Sequence, residues 1–551
     1  MQKPKPSTHR LPFFLHLILW GGFFTIIWNK QLVVAPDGIF AGSRTTWGDA
    51  AAHLSYMSAF AYRSSFPTTH PLFINHPFSY AFAADFLGGL LVRSGLSLVT
   101  SYNLLGLILS FALIYLLFIF FTNWWQDHWV ALLASSIFLL SGGLGFWYLL
   151  EDILLDGLIP TLAHLPREYT FLVTKNIHWI NIITSQIIPQ RSFLLGFPIG
   201  LLIIILTHKA LTTHSRYSRW LLLAAGFLLG LMPLIHPHSL IALAVIIIWW
   251  LGKDLLTKPS LWLSWLWFII PALFLGSFTF TQVISPAVNH SFFRFQPGWL
   301  ALKNTAGLAY GQSFLNFLWF WLKNWGVLPL IAVFGLKFTP RSTRQLIPPF
   351  ILLWLAANLW LFQPWEWDNT KILTWVYLLV SGLAAATIIS LWRHPFPGTK
   401  VVALILVLAV TASGLLDSLK LLQVSPQEFP FLGQEEIKLA ALVRQTTDPN
   451  AIFLTSDQHN HWIPVLTGRQ ILMGFRGWLW SYGIDYSQRE KDVTAMFQGG
   501  QTAKDLLTRY HVDYVVIGPS ESVAFKANQP WFASQYSLIF TTPHYQVYRL
   551  N

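Results

Sequence analysis

About a dozen apolar runs, each close to the length that crosses a bilayer, leave this chain few folds to choose from. They are readable at 11–29, 101–121, 130–149, 193–208, 219–235, 239–252, 261–281, 314–334, 346–362, 371–391 and 400–418. A hydrocarbon core of about 30 Å takes roughly 20 apolar residues in a helix, and lipid satisfies no exposed backbone, so each run must be helical. Only 11% of the 551 residues are charged, against about 25% in a soluble domain. The chain therefore reads as a polytopic α-helical membrane protein with about eleven transmembrane helices, and the bilayer is its first partner. The 28 Trp residues suit interfacial belts. A net charge of +12 is scattered over the loops between apolar runs, which argues against a nucleic-acid partner. With no Cys there is no disulfide, thiolate nucleophile or zinc–thiolate site. Lys3, Lys5 and Arg10 precede the first run, which is long for a signal peptide and has no A-x-A site after it, so it reads as a retained anchor.

Lys and Arg set the orientation. A further candidate, 78–98, is interrupted by Asp85 and Arg93, and counting it would flip everything downstream. Without it, the N-terminus and the loops holding Lys209, Arg216 and Arg219, Lys253 and Lys258, Lys337, Arg341 and Arg344, and Arg393 and Lys400 all face the cytoplasm. Segment 78–98 is thus expected to be re-entrant or interfacial. The short loop at Asp127 also falls on the cytoplasmic side. The outer side then collects 30–100, 150–192, the His236-Pro237-His238 turn, 282–313, Trp365-Glu366-Trp367-Asp368-Asn369 and the C-terminal tail. Unusual polar residues gather on one face.

The linker near 421–433, with Pro426 and Pro430, separates a transmembrane domain, 1–423, from a tail, 424–551. In the tail, Ala451-Ile452-Phe453-Leu454, Val512–Gly518 and 544–549 read as strands between helices, giving a small soluble α/β domain. Asp457-Gln458-His459-Asn460-His461 has metal-like spacing but fits a hydrogen-bonded turn better, and Gly474-Phe475-Arg476-Gly477-Trp478 is a polar-aromatic stretch suited to packing, a sugar or a membrane face.

The outer stretch 30–100 carries the first candidate site. Asp49, His53 and Tyr56 at i, i+4 and i+7 share one helix face. On an amphipathic helix lying at the membrane surface, Asp49 would stand at the N-terminal end, where the dipole favours a carboxylate; a plain helix cap is the bland alternative. Arg63, His70, Asn75, His76 and Asp85 follow, and Glu151-Asp152 and Pro189-Gln190-Arg191 lie on the same outer side. Carboxylates with cations suit transfer of a group from a phosphorylated carrier. A carboxylate takes the acceptor hydroxyl proton, typically worth 10²–10⁴-fold, and cations stabilise the departing phosphate. Arg191 is the first choice for a phosphate contact, against a snorkelling Arg at a helix end. His236 and His238 flank Pro237 in a tight turn and are candidates for phosphate or for a hydrogen-bonded turn. Glu366, Asp368 and Lys371 sit among aromatics that suit a sugar or anchor helices. The donor and phosphate set is then Arg191, His236, His238, Arg63 and Lys371, with His53, His76, Glu366 and Asp368 toward the substrate.

A cytoplasmic N-terminus, a first span, a long outer loop with an acidic residue and surface helices, many further spans and an outer soluble tail resemble the GT-C superfamily of membrane glycosyltransferases. That superfamily, which uses polyprenyl-phosphate sugars, includes protein O-mannosyltransferases, aminoarabinose transferases and Rgt-type enzymes. The resemblance implies that Asp49, in the first outer loop, is the catalytic base. It also implies that Glu151-Asp152, after a later outward span, is the second acidic position. His76-Pro77-Phe78-Ser79-Tyr80 resembles the Pro-containing start of the helix that closes the family's first loop. Residues 10–210 carry the resemblance by motif and the rest by topology. The first loop has no Asp-x-Asp, so a divalent metal stays open and no cofactor is assigned.

The expectation is a multi-pass plasma-membrane enzyme of the cell envelope with a cytoplasmic N-terminus and an extra-cytoplasmic tail. It would move a sugar from a polyprenyl-phosphate donor to a glycan, lipid or protein acceptor with inversion. The alternative is a secondary transporter or flippase, which would more commonly show internal repeats and midplane polar residues.

Overall fold

The structure, a computed structural model, describes residues 10–213, 216–283, 293–302 and 314–550. Lys3 and Lys5, and parts of the loop 282–313, lie outside the described residues. Helix α1 (Leu11–Gln31) leads into β1 (Leu32–Ala35) and β2 (Gly38–Ala41), then α2 (Arg44–Tyr62), α3 (Ala83–Arg93), α4 (Leu98–Trp125), α5 (His128–Leu139), α6 (Tyr148–Asp156) and α7 (Leu158–Ala163). Next come α8 (Arg191–Thr213), α9 (Ser218–Ile235), α10 (Pro237–Thr257), α11 (Trp262–Val283), β3 (Arg294–Phe295), α12 (Phe314–Trp325), α13 (Leu328–Gly335), α14 (Ile347–Leu359), β4 (Trp360–Leu361), α15 (Thr370–Trp392) and α16 (Pro397–Gln423). The tail adds β5 (Phe429–Gly433), α17 (Gln434–Thr446), β6 (Ile452–Leu454), β7 (Gln470–Ile471), α18 (Arg476–Ser481), α19 (Ser487–Gln498), α20 (Gln501–Arg509), β8 (Tyr514–Ile517), α21 (Pro519–Ala524), α22 (Gln529–Gln535), β9 (Ser537–Thr541) and β10 (Gln546–Arg549).

Among the described residues, eight helical stretches are long and apolar enough to cross a bilayer. Two further runs are broken: 130–149 becomes two helical pieces bent by 67°, and 314–334 becomes α12 and α13, bent by 87°. The run 346–362 yields only the 13-residue α14. The eleven apolar runs therefore resolve into eight to ten spans, because hydropathy registers the length of a run but not a break within it. Segment 78–98 holds only the 11-residue α3, about 16 Å of helix, too short to span.

The described residues divide into two compact units. One draws on Met1–Ile27, Gly106–Thr279 and Ser291–Val424, the other on Trp28–Leu105, Phe280–His290 and Ser425–Asn551. Compactness thus groups the first loop with the tail, whereas the composition boundary falls near residue 424.

In the first unit α15 is the central helix, with 89% of its apolar window buried. Helices α5, α13, α14 and α16 pack around it. Its run Ser381-Gly382-Leu383-Ala384-Ala385-Ala386 explains why, since small side chains let backbones approach. Large apolar groups face outward on α11, with Phe274 80% and Leu273 68% exposed, a surface suited to lipid rather than water. The basic loops gather at one end. Arg393 is ion-paired to Asp127, Lys253 donates to Gln345 at 2.5 Å and Trp125 donates to Thr339 at 3.2 Å.

In the second unit β1, β2 and β5 form an antiparallel sheet, and the tail builds a mixed five-stranded sheet in the order β7-β6-β8-β10-β9. Strand β6 runs parallel to β7 and β8, and β10 antiparallel to β8 and β9. Leu454, Val493, Met496, Val515 and Phe532 form its core, joined by Phe73 and Ile74 from the first loop. Helix α2 is buried from Ala50 to Ala61 against α3 and the turn Ile463–Thr467. This corrects the expectation of a surface-lying amphipathic helix: five Ala residues within Ala50–Ala61 thin the helix enough to be enclosed.

Candidate functional site

Ser43 caps α2, its hydroxyl accepting from Thr46 N–H at 3.1 Å. Asp49 therefore sits in the second turn, not at the N-terminal end and not as the cap. The cap is therefore Ser43 and not Asp49. Asp49 is half-buried. One turn on, His53 Nδ1 lies 2.9 Å from Asp85 Oδ1 and 3.2 Å from Oδ2, with side chains 6% and 1% exposed. Asp85 comes from the first turn of α3, so the α2–α3 packing holds the imidazole by its Nδ1 edge. The pair satisfies two groups that would be costly to bury alone.

Tyr56, a further turn along, meets the tail. Its hydroxyl lies 3.5 Å from both His70 Nε2 and the Tyr482 hydroxyl. Tyr80 lies between, its ring 4.8 Å from Tyr56, 5.3 Å from Tyr482 and 6.5 Å from His53. Leu72 N–H donates to His70 Nδ1 at 3.1 Å, which leaves the proton on Nε2, toward Tyr56. Burial, assisted by His76, draws the His70 pKa down to about 3, so this ring is neutral. Burial, then the neighbouring Tyr482 and Tyr80, push the Tyr56 phenol well above its ordinary value. His70 and Tyr56 are thus both neutral.

The other first-loop candidates take supporting positions. Arg63 ends α2 and donates to Gln470 at 3.3 Å and Asn450 at 3.4 Å, tying α2 to the tail. His76 Nδ1 donates to Pro77 O at 2.8 Å, and His76 O accepts from His70 N–H. In the tail His459 bonds Trp47 O at 3.2 Å and His461 pairs with Glu521 at 3.0 Å. Among the described residues no three His, Asp or Glu side chains are placed to hold a metal ion, so no step below is drawn through one.

The remaining candidates lie in the first unit, at the end away from the basic loops. Asp152 is 4% exposed; it accepts from Arg167 Nε at 2.9 Å and from the Tyr169 hydroxyl at 2.6 Å. Glu151 is exposed, 3.3 Å from Lys175 and 3.5 Å from Arg167. The Asp152 hydrogen bond raises the Arg167 pKa, and burial followed by Asp152 raises that of Tyr169. Asp417 of α16 receives Tyr169 N–H at 2.5 Å and Thr170 N–H at 3.1 Å, so the loop after α7 is fastened at both acids.

Arg191 begins α8 and is 1% exposed, a buried cation rather than a snorkelling one. Phe193 of the same helix lies against His236 at 5.6 Å. His236 caps α10: its Nδ1 accepts from Ser239 N–H at 3.2 Å and meets Ser239 Oγ at 2.8 Å, while Trp375 donates to that Oγ at 3.3 Å. His238 lies 5.5 Å from His236, and both rings are buried. Lys371 is paired with Asp368 at 3.0 Å. Glu366 lends its carbonyl to Trp299 at 2.8 Å, and Trp367 donates to His178 O at 2.7 Å. The structure thus brings His236, His238, Lys371 and Asp368 together and leads α8 with Arg191 into the same region. Tyr482 and Arg167 were not singled out by sequence, and Asp85 and Tyr80 stood there only within a cluster and a motif; Tyr56 and Tyr482 are 426 residues apart.

The fold is shared with solved structures of ArnT and of the oligosaccharyltransferase AglB. ArnT from Cupriavidus metallidurans, solved bound to undecaprenyl phosphate, superposes with a TM-score of 0.52 over 99% of each chain at 11% identity. The archaeal oligosaccharyltransferase AglB from Archaeoglobus fulgidus, solved with an inhibitory peptide and a dolichol-phosphate, gives 0.50 over 93% of this chain and 70% of its own, at 12% identity. No protein-family model matches the sequence, and no curated protein sequence is significantly similar to it.

Proposed function

We propose that this protein is a membrane glycosyltransferase that moves a sugar from a polyprenyl-phosphate donor to an acceptor hydroxyl at the outer face of the plasma membrane. The observation that carries the reading is Asp49: a half-buried carboxylate in the second turn of α2, which Ser43 caps, in a fold shared with ArnT over both full chains. Asp49 takes the hydroxyl proton as the acceptor oxygen attacks the anomeric carbon. The bond from that carbon to the phosphate oxygen breaks on the opposite face, so configuration inverts and polyprenyl phosphate departs with the electron pair. The leaving phosphate needs no acid; it needs cations. Arg191 and Lys371, with His236 and His238, are the groups assigned to it. Glu151 and Asp152 support the site by holding Arg167 and Lys175.

The test is sugar transfer in proteoliposomes from a panel of polyprenyl-phosphate sugars, comparing wild type with Asp49→Asn. We expect a loss of about 10²-fold or more in turnover, with folding intact. Full activity in the variant would move the base to Glu151 or Asp152. No release from any donor by the folded wild type would sink the enzyme and bring a transporter forward.

A further inference from the structure

We propose that Tyr482 of the tail and Tyr80 of the first loop form a subsite for the ring of an acceptor saccharide. The tail is then a working part of the site rather than an appendage. The chemistry rests on the glycosyltransferase reading; the geometry does not.

Tyr482 is held on both sides. It ends α18, its N–H bonded to Trp478 O, and Gly483 follows at φ +74°, a conformation that releases the chain from the helix. Leu479 before it and Ile484 after it are both buried in the tail core. The ring is therefore presented from a rigid mount. It stands 5.3 Å from Tyr80 at an interplanar angle of 52°, and both rings are half-buried. A wedge of this kind offers the partly exposed ring faces to the C–H side of a sugar ring and phenol hydroxyls to its own hydroxyls.

The distribution of hydroxyls along α2 supports the assignment. Phe60, Phe66, Phe82 and Phe86 pack as one apolar cluster at the far end of the helix. Nearer His53 the rings are Tyr56, Tyr80 and Tyr482, with Phe78 packed 5.2 Å from Tyr56. Phe78 fills that side by packing, and the three hydroxylated rings add polar groups that packing alone does not need. Tyr56, fully buried, takes the back of the wedge, its hydroxyl 3.5 Å from that of Tyr482.

The experiment uses the full chain in lipid nanodiscs. Saturation-transfer NMR with methyl glycosides of glucose, mannose and galactose reads binding without requiring turnover. Kinetics with whichever polyprenyl-phosphate sugar turns over, and the same methyl glycosides as acceptors, separates the two substrates. Tyr482→Ala is expected to abolish the saturation-transfer signal and to raise the acceptor KM about tenfold, the effect of losing one aromatic face (about 1.4 kcal/mol). The donor KM should move much less. Tyr482→Phe and Tyr80→Phe, which keep the faces, should cost about threefold in acceptor KM, and they carry the test if the Ala variant misfolds. A rise in donor KM that matches or exceeds that of the acceptor would give the ring to the donor and overturn the assignment. Unchanged binding and kinetics in all three variants would overturn the subsite. A Tyr482-dependent binding signal with no turnover from any donor would keep the subsite and reject the glycosyltransferase reading alone.

Discussion

Glu521 is wholly enclosed, yet it carries its charge through a set of hydrogen bonds: from Ser456 N–H at 2.8 Å, from Gly518 N–H at 2.9 Å and with His461 at 3.0 Å. Burial alone would raise its pKa; the His461 bond and then the Ser456 amide outweigh it and bring the carboxyl from 4.5 to about 2. A folded pKa below the unfolded one means the stabilisation is full above about pH 4.5 and drains as pH falls toward 2, about 3 kcal/mol in all. Thermal unfolding of the full chain in detergent should therefore show a midpoint that falls steeply below pH 4.5. Glu521→Gln should start lower at pH 6 and flatten that slope; a slope unchanged by the substitution would assign the acid sensitivity elsewhere. The same residue shows the limit of a linear reading. Asp49, His53 and Tyr56 were legible because helical spacing puts them on one face. Tyr482 meets Tyr56 and Tyr80, and Glu521 meets Ser456 and His461, all far along the chain, so no local pattern marks those contacts.

At the level of elements, apolar length was easy to see and breaks were not. The run 130–149 contains Gly142-Gly143, and a Cβ at Gly143 would lie 1.9 Å from Lys323 O, so the chain turns there against the next segment. In 314–334 the break falls at Gly326, at φ +62°. Both glycines were in view, but a Gly within an apolar run is tolerated more often than it bends one. Helix α13 depends on another. A Cβ at Gly335 would meet Leu383 O of α15 at 2.1 Å, so the two backbones are as near as they can be. Gly335→Ala should push α13 off α15 and cost about 1–3 kcal/mol, within the range of overpacked sites, seen as a lower unfolding midpoint. Gly252→Ala on α10, where a Cβ meets nothing within 4 Å, should be neutral or stabilising by up to about 1 kcal/mol. Equal midpoints for both variants would mean the α13–α15 approach is not tight in the membrane.

For the whole molecule, the count of crossings decides on which side of the membrane the tail lies. A cytoplasmic N-terminus with an extra-cytoplasmic tail needs an odd number, whereas eight long helices plus two bent pairs make ten. That orientation therefore needs an eleventh crossing, for which α14 is the candidate we propose. Its 13 residues give about 20 Å, and β4 continues the chain extended for about 7 Å more, close to a bilayer's apolar thickness. Its flanks fit that role. Arg341 and Arg344 precede it, at the end where Lys253 meets Gln345, and the Glu366–Asn369 turn that follows is joined to His178 and Trp299 at the opposite end. Helix α15 then returns to Arg393, which is paired with Asp127. The chain has no Cys, so single cysteines can be introduced without background. In sealed right-side-out vesicles, Ala524→Cys on the tail should react with an impermeant maleimide from outside. Thr213→Cys, beside Lys209 and Arg216, should react only after permeabilisation, since both positions are exposed in their own units. Labelling of both from the same side would leave α14 short of a crossing, put the tail in the cytoplasm and remove the outer-face reading with it.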